Sequence, residues 1–360
     1  MPRPLPERLR LQAEECARFG SQLYAELLAA CADDAEAGGV VAAVVAGHER
    51  RPVVGLRLLG AVHRLVLEGR APALAAYYPS VGGSGPPAGA WAALRATLAE
   101  RGAEVAGLLD RTVQTNEVGR SAALYGGLLA AGGELPVRLL EVGASAGLNL
   151  LVDRYAYVVG GRVLGDPGSP LRLVEPWRGS PVPDPTAPLR VAERAGCDPD
   201  PVDPSRREGR LTLAAYVWAD QVERLRRLRA ALRVAAAAPA PVERRAGADW
   251  LEAVLRRPAT GRLTVVWHSV VWPYLGAAER ARVGAALAAA GERATPAAPL
   301  AHLAYESRKV EGRFRFEVRL TSWPGAADQL SGEPVPGSPD PSRLLAIAEG
   351  HGPPVRWLPA

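Results

Sequence analysis

Apolar positions in the first 135 residues recur at helical spacing, and no run there alternates or clusters as a strand would. Leu23, Leu27 and Leu28 are followed by Leu56, Leu59, Val62, Leu65 and Val66. Trp91, Leu94, Leu98, Val105, Leu108 and Leu109 continue the pattern. Pro79 to Gly89 (PSVGGSGPPAG) interrupts it with glycine and proline and reads as a loop. Residues 1–135 therefore predict a helical N-terminal region. At residue 136 the pattern changes. Val137 to Val142 (VRLLEV), bounded by Pro136 and Gly143, is a short apolar run suited to a strand buried on both faces. Comparable runs stand at 189–193, 242–245, 263–268, 301–306, 314–321 and 355–358, with helical patterns at 146–152, 211–237, 250–256 and 277–290. This alternation predicts an α/β domain over 136–360, with a mostly parallel sheet between helical layers. The closely spaced last strands predict an antiparallel edge. Residues 155–188 fall outside the scheme. Gly160-Gly161 between two short apolar runs predicts a hairpin, and PVPDPTAPL a loop, so the segment reads as an insertion forming a flap over the site.

Composition narrows the class. The chain has 360 residues, 48% hydrophobic and 22% charged, enough to bury a sizeable core in one large or two fused domains. No apolar run approaches the roughly 18 residues of a membrane helix, and MPRPLPERLR lacks the apolar stretch of a signal peptide. Cys16, Cys31 and Cys197 show neither metal nor disulfide spacing. A reducing, cytoplasmic setting is the expectation. The net charge of +5 arises beyond residue 135 and is compatible with a nucleic-acid partner. No block of basic residues interleaved with aromatics supports one, however. Arg224, Arg226, Arg227 and Arg229 alternate with Leu225, Leu228 and Leu232, the pattern of a solvated helix face.

The densest chemistry lies in Glu141-Val-Gly143-Ala144-Ser145-Ala-Gly147-Leu-Asn149. An acid closes a strand, and two glycines four apart let a ligand approach bare backbone at a helix start. The dinucleotide fingerprint would need glycine where Ser145 stands, and no G-K-[ST] follows for a phosphate loop. The stretch resembles the first motif of class I S-adenosylmethionine-dependent methyltransferases, E/D-x-G-x-x-x-G. That resemblance implies a Rossmann-like, seven-stranded, mostly parallel sheet and a glycine turn receiving the amino-acid end of the cofactor. Glu141, Gly143, Ala144, Ser145, Gly147 and Asn149 would then bind it. It also implies a ribose-binding acid after the second strand, Asp198 or its rival Glu193, and Asp249 beside adenine after the third. His268 and Ser269, closing the fourth strand, would face the transferred methyl. The runs at 314–321 and 355–358 would be the sixth and seventh strands, an antiparallel pair.

Gln114-Thr-Asn116-Glu117-Val-Gly-Arg120 reads by itself as a helix cap, through Thr115 or Asn116. Together with EVGASAGLNLLVDRY and VVWHSVVWPYL, it resembles an uncharacterised bacterial family placed near the class I methyltransferases by fold. In such folds the helix before the first strand borders the cofactor pocket, which would bring Gln114, Asn116 and Glu117 to it.

Of five histidines, His268 alone ends a predicted strand and is the candidate general base. His48, His63 and His302 sit in apolar surroundings, and His351 in a glycine-flanked loop. No Cys/His cluster has zinc spacing. Gly143-Ala-Ser145-Ala-Gly147 is also literally G-x-S-x-G, the elbow of α/β hydrolases, with Asp249 and His351 downstream as acid and base. Hydrolases place several strands before that elbow, whereas here only helices precede it. The expectation is methyl transfer from S-adenosylmethionine to a small molecule. A serine esterase, or a binding protein of the same fold without turnover, are the alternatives.

Overall fold

The computed structural model describes residues 3–186, 189–311, 313–324 and 342–359. The chain forms two compact units, Met1–Thr115 with Arg206–Leu228, and Asn116–Ser205 with Arg229–Ala360.

The first unit is helical: α1 (Leu5–Arg18), α2 (Gln22–Glu36), α3 (Val40–Val44), α4 (Val54–Leu67), α5 (Pro72–Ala75) and α6 (Ala90–Leu108), joined by α8 (Arg207–Ala215) and the start of α9 (Val222–Ala237). Its core is made of the leucines the periodicity picks out, including Leu23, Leu27, Leu59 and Leu94. Trp218 and Ala219 belong to the same core, which is why residues 206–228 join this unit. Asp220 fastens them by accepting from Ser21 Oγ at 2.6 Å and Leu23 N at 3.0 Å. The expected boundary at 135/136 is thus moved to 115/116. His63 is a core histidine, its ring nitrogens bonded to Ala215 O and Ser80 Oγ, and burial lowers it to about 4. The arginine stripe of α9 is only partly solvated, since Arg224 is buried with its guanidinium 5.6 Å from the Trp218 ring.

The second unit opens with α7 (Ser121–Ala131) and β1 (Val137–Val142). The 155–188 segment supplies β2 (Ala156–Val159), β3 (Arg162–Gly165), β4 (Arg172–Val174) and β5 (Trp177–Arg178). The first three make a small sheet containing the expected hairpin, with β2 and β3 antiparallel. There follow β6 (Val191–Asp198), β7 (Val242–Arg244), α10 (Gly247–Val254), β8 (Leu263–Ser269), α11 (Ala277–Gly291), β9 (Leu300–Val310), β10 (Arg313–Trp323), β11 (Arg343–Glu349) and β12 (Gly352–Trp357).

The main sheet has nine strands rather than seven, in the order β5-β12-β11-β10-β9-β8-β1-β6-β7. All seven expected strands are present; β5 and β11 are additional. From β7 to β9 the strands are parallel. The chain runs outward from β1 to β6 and β7, then returns to the other side of β1 with β8 and β9. Beyond β9 lies an antiparallel meander. The expected pairing of the sixth and seventh strands does not occur, because β11 lies between β10 and β12. On one face, Leu140, Val142 and Val266 pack against Ala248, Trp250 and Leu251 of α10 and Val283 and Leu287 of α11. On the other lies α7, whose Ala122 carbonyl accepts from Trp177 Nε1 at 2.9 Å. Burying about 25 cal/mol per Å² of apolar surface on both faces is what commits β1 and β8 to the centre.

Candidate functional site

The turn after β1 is closed by its own backbone. Gly143 N and Ala144 N both donate to Cys197 O at 2.9 and 3.0 Å, and Ser145 N donates to Asp198 Oδ2 at 2.9 Å. Leu148 N donates to Asn116 Oδ1 at 2.9 Å. The φ angles of Gly143, Ser145 and Gly147 are 72°, 54° and 71°, the left-handed region. The α-helix expected over 146–152 is instead a 3-10 turn, Asn149–Arg154, too short to carry a substantial dipole. A Cβ on Gly143 would lie 2.5 Å from Val271 Cγ2, and one on Gly147 3.0 Å from Val242 Cγ2. Both glycines therefore make room for protein side chains.

Strand alternation sets two chemistries on the two faces of the sheet. Glu141 is in register with Trp267, and Val142 with His268. Glu141 is 1% exposed. Its Oε2, Asn149 Oδ1 and Trp267 Nε1 have no hydrogen-bond partner among the described residues. Each such atom costs roughly 1–3 kcal/mol if nothing satisfies it. Burial pushes the Glu141 carboxyl up to about 8, with Asp198 adding to the rise. Trp267 and Asn149 nearby, and the Arg120 guanidinium, oppose it only in part. The Trp267 indole lies close enough to favour the charged form without reaching hydrogen-bonding geometry.

On the opposite face, His268 Nδ1 lies 2.8 Å from Glu306 Oε1, with the two residues 1% and 3% exposed. The same oxygen accepts from Val271 N at 3.0 Å and Trp272 N at 3.3 Å. Trp272 stacks on the imidazole at 5.1 Å and 23°. The His302 ring is 5.1 Å away and tilted by 40°, held neutral by burial and by His268. His268 Nε2, Glu306 Oε2, Thr321 Oγ1 and both His302 ring nitrogens are buried without a partner among the described residues. Val270, in the connecting loop, has a φ of 53°, a costly angle for a β-branched residue. Backbone strain of this kind gathers at functional loops.

The three sequence motifs meet here. Asn116 holds the glycine turn, and Arg120 holds the loop after β8. Arg120 donates to Ser269 O at 3.2 Å and, through Nε and Nη2, to Gly350 O at 3.2 and 3.1 Å. The cap is Glu117 rather than the expected Thr115 or Asn116: it accepts from Gly119 N at 3.1 Å at the start of a 3-10 turn, Val118–Arg120. Gln114 belongs to the helical unit. Asp198 and Glu193 lie toward opposite ends of β6. Asp198 ends β6 and accepts from Ser145 N and Asp200 N, whereas Glu193 lies toward the other end, paired with Arg138 and Arg262. Asp249 stands in the first turn of α10, half-exposed and 2.7 Å from Arg282. Ser269 presents its carbonyl and hydroxyl to Arg120.

Glu306, Arg120 and Trp267 complete the site and escape sequence reasoning. One signal was present for Glu306: an acid after the apolar Leu303-Ala-Tyr305 repeats the way Glu141 follows Leu139-Leu140 in β1. Among the described residues, no group of three or more His, Cys, Asp or Glu could hold a metal ion, and no helix is long and apolar enough to cross a membrane.

Over residues 6–357 the sequence matches the family described as an uncharacterized protein conserved in bacteria (DUF2332), and the chain belongs to that family. No curated protein and no solved structure matches it.

Proposed function

For a member of this bacterial family whose sheet reverses its winding between β1 and β8, we propose S-adenosylmethionine-dependent methyl transfer to a small molecule. The observation that carries the reading is the winding itself. In open α/β sheets, ligands bind outside the carboxyl ends of the strands where the chain changes direction. Here that point falls between Glu141 and His268. The unpartnered Glu141 Oε2 and Asn149 Oδ1 are acceptors, and the cofactor's ammonium group brings three N–H donors. That donor set fits the acceptors present. When bound, the cofactor supplies an electrophilic methyl group on a sulfonium. Glu141 and Asn149 hold and orient its charged end. Asp198 shapes the turn between them through its bonds to Ser145 N and Asp200 N. Arg120 fixes the loop carrying Ser269. His268 takes the proton of the acceptor atom at Nε2.

The esterase reading has one observation in its favour, the positive φ of Ser145, which resembles a strained nucleophile turn. It has less behind it elsewhere. The acid it would use, Asp249, is engaged by Arg282, and no strand precedes β1 among the described residues.

Calorimetric titration with S-adenosylmethionine, S-adenosylhomocysteine and NAD tests the reading. The first two bind and NAD does not. Glu141→Gln weakens both by roughly ten- to a hundredfold, the loss of a charge-assisted hydrogen bond. Ser145→Ala leaves affinity unchanged. Absence of binding by either sulfur compound, or labelling of Ser145 by a fluorophosphonate, would overturn it.

A further inference from the structure

We infer that Glu306 is a positioning residue that fixes the tautomer of His268, leaving Nε2 as a bare proton acceptor for a substrate bearing a hydroxyl or amine. The base role rests on the methyl-transfer reading; the tautomer does not. A single oxygen, Glu306 Oε1, faces three nitrogens: His268 Nδ1 at 2.8 Å, Val271 N at 3.0 Å and Trp272 N at 3.3 Å. The two backbone groups can only donate, so that oxygen is an acceptor. Nδ1 must then carry the ring hydrogen, and the lone pair of the neutral imidazole is at Nε2. Nε2 has no partner among the described residues. Stacking on Trp272, whose own N–H is held by the same carboxylate, removes the remaining freedom of the ring.

The geometry also selects the chemistry of the acceptor. A thiolate or carboxylate would have no proton to give, and a positioned base would add nothing. A hydroxyl or amine does have one. As the acceptor oxygen or nitrogen takes the methyl group, its proton passes to Nε2 and the carbon–sulfur electron pair returns to sulfur. The imidazolium so formed lies against the Glu306 carboxylate, which stabilises its charge.

Long-range proton–nitrogen NMR of the ¹⁵N-labelled full chain tests this, with His268→Gln assigning one ring among the five histidines. With the ring neutral, the expected spectrum shows His268 with hydrogen on Nδ1 alone. Glu306→Leu, which removes the acceptor, moves the population to Nε2–H, and Glu306→Gln, which keeps an acceptor oxygen, restores Nδ1–H. A neutral wild-type ring carrying its hydrogen on Nε2 overturns the inference. So does an Nδ1–H population unchanged in Glu306→Leu; should that variant not fold, the wild-type and Glu306→Gln spectra decide. Failure of S-adenosylmethionine to bind, alongside the expected tautomer, would remove the transfer reading and leave the assignment of Glu306 standing.

Discussion

Glu141 keeps its proton at a pH where most glutamates have lost theirs. Its position was legible in the sequence as an acid closing an apolar strand; its burial was not, because that depends on the 3-10 turn packing on β1 and on α7 packing on that turn. The consequence is a pH-dependent stability of definite sign. Between the ordinary value of 4.5 and the folded value of about 8, the folded chain holds a proton that the unfolded chain has released. Stability therefore falls as pH rises through that window, by a Glu141 contribution on the order of 5 kcal/mol. Glu141→Gln should match the wild type near pH 4.5 and exceed it at pH 8. Urea unfolding at a series of pH values measures this, and equal losses in both proteins would remove Glu141 as the cause. The same reasoning predicts a ligand cation here to be stabilising, since it would favour the carboxylate that burial disfavours.

At the scale of elements, short apolar runs marked seven strands because β-branched and leucine residues filled both faces. β11 (RLLAIAE) escaped because leucine and alanine favour helices, and only pairing with β10 and β12 makes it a strand. β5 has two residues and no pattern to read. The helical pattern after the glycine turn does not become an α-helix for a related reason: Asn116 and Ala144 take the amide hydrogens of Leu148 and Gly147, so the backbone is tied down before a full α-turn forms. Gly143 shows how tightly the turn is built. Any L-residue there pays about 1–2 kcal/mol for a φ of 72°. Its Cβ also meets Val271 at 2.5 Å, and overpacking of that kind costs about 1–3 kcal/mol. Gly143→Ala should thus lose about 2–5 kcal/mol of stability, the sum of strain and overpacking. Val271→Ala in the same chain should recover only the second part. Full additivity in the double-mutant cycle would show that the two residues do not meet.

At the scale of the molecule, the alternation of strands and helices after residue 136 was enough to anticipate an α/β sheet. It could not show that residues 206–228 leave that unit, because Trp218 and Asp220 reveal their helical partners only through tertiary packing. Nor could it show the order of the strands, on which the function rests. With β6 and β7 on one side of β1, and β8 and β9 on the other, the winding reverses where QTNEVGR, the glycine turn and VVWHS converge. Hydrogen–deuterium exchange with and without saturating S-adenosylhomocysteine tests that claim directly. The ligand should slow exchange in peptides covering 116–120, 141–150 and 267–272, and leave 253–262, before β8, unchanged. Protection confined to 253–262, or none at the carboxyl ends of β1 and β8, would contradict it.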